Sequence, residues 1–456
     1  TTARILKEGN TDPQYRQTFK DLVKEHNVTV IYEHRLGAVR RDRTTIRSVE
    51  LDYAPPDRTG CPMAKPTTPA ARIVLARVFI DCSYEGDLMA KAGVSYTFGR
   101  ESREQYGESL AGVRPHLTVY DIDPYVKPGD SRSGLLPLMQ DVQLGSPGSA
   151  DKSTMAYCWR WKLTDKPDRI PMEPPGDYDP RTYELFRRGF QAHVDMAKGR
   201  RMHTLGEYLP ASGDFYGGNS SRALMAQSVA GSNADYPDGD WPTRARIWKF
   251  HQEFVRGLTQ FLRTDPVVPA QWKGKARNIG FKPGIFDETG GWPHQLYVRE
   301  ARRMKSAYVV TQKDLEGVTD PTDSVGLASY GVDDWPYATL AVDGKVAVNG
   351  GEFNVLRLTD KHGSAYKIPY RSITPVASEC VNLLVPVCVS ASHIAMTSIR
   401  MEPVWMILGE SAGIAAAIAL QSRIPVQQVE YSQLRSKLLN LGQVLDLEVN
   451  AKSHVR

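Results

Sequence analysis

The sequence predicts an α/β protein interrupted by a large, loop-rich α+β insertion. Three observations predict it. Toward both ends, an apolar run of strand type leads through a polar turn or loop into a helix, at 72–93 and again at 382–420. Between them, from about Gly99 to Gly290, prolines, glycines and aromatics are frequent and clean periodicity is rare, yet the stretch holds too many Trp, Tyr and Phe to be disordered. Finally, 456 residues exceed one ordinary core, so two or three domains are expected.

The elements follow in order. Tyr15 to Glu25 has helical spacing, and Val28 to Tyr32 is a continuous apolar run of β type. Gly37-Ala38-Val39 and Ile46 to Tyr53 alternate and predict a hairpin or meander. Pro55 to Pro69 holds five prolines and is a loop. Arg72 to Asp81 reads as one strand. After it comes the turn Cys82–Gly86 and a short helix, with Asp87 as its cap and Gly93 closing it. Within the middle region, Arg244 to Arg263 places Ile247, Phe250, Phe254, Leu258 and Phe261 on one helical face. Leu296 to Lys305 reads as helix, which would put Arg299 and Arg303 on one face. Tyr308–Val310 and Tyr337–Val348 read as strand, as does Asn382–Val389. The segment 390–402 reads as a polar loop, and helices follow from Pro403 and from Tyr431 to Leu439.

Composition excludes several classes. A net charge of +5 over this length shows no concentrated basic face, so no nucleic-acid partner is expected. The short basic pairs Arg40-Arg41 and Arg302-Arg303 read as solvated faces. Five cysteines show neither zinc-ligand nor redox spacing, and Cys380 and Cys388 sit in apolar runs as small core residues. No metal site is expected. The longest apolar run, 403–420, carries Glu410 and many small residues, which predicts a tightly packed buried helix and no membrane span. No targeting signal is visible, and the sequence assigns no compartment.

Chemistry concentrates at 382–420. A helix opening on Pro403 exposes N–H groups around Met401 to Val404, a partly positive end suited to a phosphate or to the electron-rich edge of a reduced ring cofactor. An Ala-rich buried helix without a ligand would carry the same pattern. The turn after Asp81 is equally open to an ordinary strand-to-helix turn.

Taken together, these pieces resemble the FAD-dependent oxidoreductase family, related in fold to the glutathione-reductase and fumarate-reductase flavoproteins. The resemblance rests on Phe79–Leu88 (FIDCSYEGDL), the following AGVSYTFGRES, Gly290–Met304 (GGWPHQLYVREARRM), Asp323–Tyr330 (DSVGLASY), Ile368–Pro375 (IPYRSITP) and Ser390–Ala417. It spans nearly the whole chain. It implies an FAD-binding, Rossmann-like three-layer domain with FAD as cofactor and a small molecule as substrate. By position it implies that Val30 passes near the adenine end, that Asp81, Cys82, Gly86 and Asp87 approach the dinucleotide, and that Ser398, Arg400, Met401 and Glu402 face the isoalloxazine ring. Residues 1–98 would be a partial FAD-binding domain, 99–290 an inserted substrate or cap domain, 291–365 its return, and 366–456 the rest of the FAD-binding domain. Three departures stand out. No strand, GxGxxG turn and helix opens the chain, so the domain reads as incomplete at its N-terminus and a further segment is expected before Thr1. The histidine that the family often carries after DSVG is replaced here by Val332-Asp333-Asp334-Trp335. Tyr84 stands where the family phrase has glycine.

Flavin chemistry asks the protein for orientation, a proton acceptor and charge near the ring. His393, just before the ring-facing segment, is the first candidate for the proton-handling group, with a hydrogen-bonded structural histidine as the alternative. His294 is the second. Of Arg299, Arg302 and Arg303, which follow it, an arginine could orient an anionic substrate, sit over the flavin, or tie the inserted domain to the core through Glu300 or Asp323, with Arg299 the first candidate; Arg371 and Arg400 are candidates of the same kind. For Arg400 the alternative is an ion pair with Glu402 that shapes the loop. The expectation is an FAD-dependent oxidoreductase acting by hydride transfer on a small polar, hydroxylated or carbohydrate-like substrate, the latter from the tryptophans at 159, 161, 241, 248, 272 and 292. The alternative is a non-catalytic binding or structural protein on a truncated flavoprotein scaffold. A hydrolase is disfavoured because neither GxSxG nor HExxH occurs.

Overall fold

A computed structural model describes residues 12–115, 117–192, 213–216, 224, 226–351, 354–355 and 365–446. It combines helices with several small sheets. After the helix Asp12–Glu25, the expected strand 28–32 does not form: Val28 is 55% and Tyr32 71% exposed, and no strand among the described residues pairs with them. A strand exists by its ladder, so apolar β-type residues without a neighbour remain merely extended. Val30 accordingly lies exposed outside any sheet.

The expected hairpin is present. His34–Asp42 pairs with Thr45–Tyr53, which pairs with Thr68–Leu75 in an antiparallel meander. The single strand expected over 72–81 is two. Its first half ends the meander, and Phe79–Ile80 turns to pair in parallel with Leu383–Leu384, which is all the ladder that Asn382–Val389 makes. Asn382 fastens the junction. Its amide donates to the carbonyls of Ile46 (2.9 Å) and Arg77 (3.0 Å) and accepts from the Ile46 N–H. The helix Asp87–Lys91 follows with its cap corrected. Gly86, at φ 68°, holds the cap position without a side chain, and Asp81 reaches across to accept the Met89 N–H at 3.0 Å.

In the middle region, the helix Trp241–Thr264 is capped by Asp240, which accepts the Thr243 N–H, with Pro242 in the first turn. Ile247, Phe254, Leu258 and Phe261 are buried as the spacing predicts. They meet Trp159, Trp161, Tyr183, Trp248 and Trp292 in one aromatic core. The tryptophans proposed for carbohydrate stacking are thus largely interior, because their size makes them core filling where a loop-rich region must exclude water. The hairpin Pro336–Val342/Lys345–Gly350 turns at Asp343-Gly344, both at positive φ, and Leu117–Tyr120 joins it as a third strand.

Two segments reverse the sequence expectation. Residues 296–305 are extended: the Tyr297, Met304 and Lys305 N–H groups bond to the carbonyls of Cys158, Cys388 and Ser95, and Arg303–Met304 pairs with Tyr96–Thr97. Distant partners outbid helical periodicity there. Arg302 and Arg303 are buried against carboxylates, not solvated. Conversely, the expected loop contains the helix His393–Ile399, capped by Ser392 and wholly buried. The helix Glu402–Ser422 then packs on the strand Ser324–Ala328, where Ser411 Oγ donates to the Val325 carbonyl at 2.7 Å. The close approach depends on Gly326, whose missing Cβ would sit 2.4 Å from Ile407. Ser411, Ala412, Ala415 and Ala416 are buried as expected, whereas Gly409 and Gly413 face open space. This is the one described helix long and apolar enough to cross a membrane, and it packs against the strand Ser324–Ala328 on one side. The last helix is Tyr431–Asn440. All five cysteines are free.

Candidate functional site

The buried helix 393–399 begins beside the extended segment 296–305, and their meeting builds the site. His393, 1% exposed, sits between two partners. Its Nδ1 lies 2.8 Å from Glu300 Oε2 and its Nε2 lies 2.7 Å from the Tyr337 hydroxyl. That hydroxyl also bonds the Asp334 carboxylate. Glu300 Oε1 accepts the Met155 N–H at 2.8 Å, and Arg303 stands 3.6 Å from Oε2. Burial works against the charge of Glu300, but His393 and Arg303 hold its carboxyl below the usual range. Glu101 accepts both the His393 N–H (2.8 Å) and Arg303 (2.6 Å); against burial, Arg303 holds it low as well. Burial and then Asp334 push the Tyr337 hydroxyl well up, so it stays a neutral donor. Arg100 lies 4.2 Å over the Tyr337 ring and Arg114 lies 4.0 Å from Asp334. The result is a buried chain, Glu300–His393–Tyr337–Asp334, fixed at both ends by cations.

A second group adjoins it. Arg400 donates to Asp333 Oδ2 (2.9 Å), to the Asp333 carbonyl (3.0 Å) and to the Tyr297 hydroxyl (3.1 Å). The expected Arg400–Glu402 pair is therefore not made: the helical turn before Arg400 directs its side chain inward, and Glu402 is exposed. Of the arginines expected to reach Glu300 or Asp323, Arg303 lies 3.6 Å from Glu300, and Arg299 pairs with neither. It donates to the Ala156 carbonyl at 2.7 Å and to Cys158 Sγ at 3.3 Å, with its guanidinium 3.6 Å over the Trp335 ring and 4.8 Å over Tyr297. Ser398 Oγ is spent on the Tyr366 hydroxyl (2.7 Å) and the Tyr330 carbonyl. At the start of the helix Glu402–Ser422, Met401 supplies no side-chain cap, and Trp405 meets Tyr84 edge-to-face at 5.2 Å. Burial, then Glu402 and Tyr297, push the Tyr84 hydroxyl up, so these groups share one neighbourhood.

Residues 8–438 match the FAD dependent oxidoreductase family. The chain belongs to that family. Its cofactor is FAD, and the usual fold of the family is a Rossmann-like nucleotide-binding α/β fold. Comparison with curated proteins gave no match, nor did comparison with solved structures.

The residues present fit the ring end of FAD. An uncapped helix start, the aromatic pair Tyr84 and Trp405, and the buried Arg400 Nε, without a hydrogen-bond partner among the described residues, together suit a flat, polar-edged ring. Arg400, Met401, Glu402 and Trp405 would hold it. The turn 81–87 offers less than expected. Both oxygens of Asp81 are consumed by Ser83 and Met89, and Asp87 is held by Arg244 (2.6 Å) and Arg302 (2.7 Å). Gly86 is required for packing, since a Cβ there would meet Met89 at 2.9 Å and Cys388 at 3.0 Å, and Cys82 is exposed. Of the candidates for chemistry, His393, Arg299 and Arg400 come together. His294 does not: it is largely exposed and pairs with Glu288 at 3.1 Å. Arg371 is half exposed and pairs with Asp323 at 3.0 Å. Sequence reasoning missed Glu300, Tyr337 and Asp334 as partners of His393. The one signal available was the pair Asp333-Asp334 standing where the family often carries a histidine.

Proposed function

We propose that this oxidoreductase acts on a small polar, hydroxylated substrate, with hydride passing between a substrate carbon and flavin N5. The observation that carries this reading is the buried Glu300–His393–Tyr337–Asp334 chain beside the arginines that adjoin Tyr297. FAD, when bound, supplies the hydride acceptor or donor. The protein's task is then to manage the hydroxyl proton and to orient the substrate. His393 is the proton-handling group: Glu300 fixes its Nδ1, and the Tyr337 hydroxyl links its Nε2 to Asp334. Arg299 and Arg400 provide orientation and charge. Residues 99–290 serve as the substrate-side insertion; they supply most of one aromatic core, which Cys61, Trp292, Leu296, Val298, Ala301, Val346 and Val348 complete.

The purified protein tests this. A two-band flavin spectrum, bleached by a hydroxylated substrate, is expected. His393→Asn should keep the flavin bands and the melting temperature while lowering turnover by about 100-fold or more. A protein that takes up no FAD, or an Asn variant with unchanged turnover, overturns the proposal.

A further inference from the structure

We infer that Arg299, together with Arg160, forms an anion subsite that takes a carboxylate of the substrate, which narrows the substrate class to small hydroxycarboxylates. The anion subsite stands on geometry alone; that its occupant is a substrate rests on the oxidoreductase reading above.

Buried arginines are ordinarily paired, because a guanidinium keeps its charge and an uncompensated buried charge is costly. This protein follows the rule at every described buried arginine but one. Arg100 has Asp151, Arg114 has Asp334, Arg244 has Asp87, Arg302 has Asp87 and Asp238, Arg303 has Glu101, and Arg400 has Asp333. Arg299, only 2% exposed, has no carboxylate among the described residues. Its Nε and Nη2 are spent on a carbonyl and a thiol, and Nη1 makes no hydrogen bond to a described residue. Asp333, which accepts from the indole of the Trp335 that Arg299 stacks on (3.0 Å), is itself committed to Arg400.

The surroundings add positive charge instead of cancelling it. Arg160 lies 4.8 Å over the same Tyr297 ring that Arg299 faces, and Arg400 bonds that tyrosine's hydroxyl. Burial above all lowers the Arg299 pKa to about 10, with Cys158 and Tyr297 pulling it up and Arg400 and Arg160 pushing it down. Tyr297 is partly exposed and Arg160 exposed, so solvent reaches the outer edge of the cluster while Arg299 lies beneath it. One open guanidinium edge on Arg299 and a second cation on the same tyrosine ring match the two oxygens of a carboxylate better than a phosphate dianion, which demands more donors. The Trp335 and Tyr297 rings supply flat walls for a planar group.

Calorimetric titration with glycolate, and with ethylene glycol as its uncharged counterpart, tests the subsite on protein whose flavin content is read from its spectrum. Glycolate should bind the flavin-loaded protein and ethylene glycol should not. Arg299→Met should weaken glycolate by at least about tenfold. Arg160→Met, an exposed substitution that leaves the core intact, should weaken it severalfold and keeps the test decisive if the Arg299 variant fails to fold. Flavin-loaded protein that ignores glycolate, or that binds it equally well in the Arg160 variant and any folded Arg299 variant, overturns the inference and leaves the oxidoreductase reading standing. Glycolate bound by the flavin-free protein alone assigns the subsite to the cofactor and overturns the substrate assignment. A colourless protein that cannot take up FAD yet binds glycolate through Arg299 supports the anion subsite and overturns the reading it serves.

Discussion

Single residues carry much of the electrostatics, and His251 is the plainest case. It is fully buried in the helix Trp241–Thr264. The Ser232 hydroxyl gives its proton to the Val229 carbonyl at 2.6 Å, so His251 Nε2 donates to Ser232 Oγ at 3.2 Å and Nδ1 keeps a lone pair with no described partner. Burial lowers its pKa from 6.5 to about 3. The folded protein therefore refuses a proton that the unfolded chain accepts. This group costs nothing above pH 6.5, and stability is lost as pH falls from 6.5 toward 3. At pH 5 the loss should be about 2 kcal/mol. Urea unfolding at pH 7 and pH 5 measures it, and His251→Gln should flatten that part of the pH dependence. An unchanged slope in the variant would refute the assignment. The site shows the opposite strategy: His393 is as buried as His251, but a carboxylate and a phenol face its two nitrogens.

Elements depend on contacts that their own sequence does not announce. Gly257 lies inside the helix Trp241–Thr264, where alanine would normally add about 1 kcal/mol of helix stability. Here a Cβ would fall 2.0 Å from the Tyr183 hydroxyl, which itself donates to the Phe254 carbonyl at 2.8 Å. Gly257→Ala should therefore destabilise by about 1–3 kcal/mol, seen as a lower urea midpoint at constant slope, and Tyr183→Phe in the same chain should recover part of it. The same helix is tied to Asp87–Lys91 by a buried triad, with Asp87 between Arg244 and Arg302. Asp87→Asn leaves two buried guanidinium groups short of charge and should cost about 3–5 kcal/mol in the same measurement. The helix was legible because its apolar positions recur at helical spacing. The role of Gly257 was not, since Tyr183 comes from 74 positions away.

At the scale of the molecule, one large core gathers the aromatics of the middle region, and a second gathers the helices and short strands of the C-terminal part. The residues proposed to hold the flavin ring lie where the helix Glu402–Ser422 starts, and that helix contributes Val404, Leu408 and Ala412 to the second core. Ligand linkage then predicts a measurable effect on the whole fold. FAD at about 100 times its dissociation constant should stabilise the protein by about 3 kcal/mol. A melting-temperature rise with FAD that riboflavin and ADP alone do not match would show that both ends of the cofactor are held; equal rises with ADP would place the held part at the nucleotide end alone.

The sequence by itself determined the family, through motifs dispersed over nearly the whole chain, and those elements whose signals are local. These are the hairpin 34–53, the helix after the turn at 82–86, the helix Trp241–Thr264, and the two C-terminal helices with Pro403 in the first turn. Periodicity and turn chemistry act over a few residues, so they can be read along the chain. Only the tertiary structure decided that 296–305 is extended, that 393–399 is helical, and that Glu300 meets His393 across 93 positions. Those outcomes belong to hydrogen bonds and charges whose partners lie far apart in sequence. No local pattern encodes which carboxylate a buried histidine will find, or that the buried Arg299 will be left without one among the described residues.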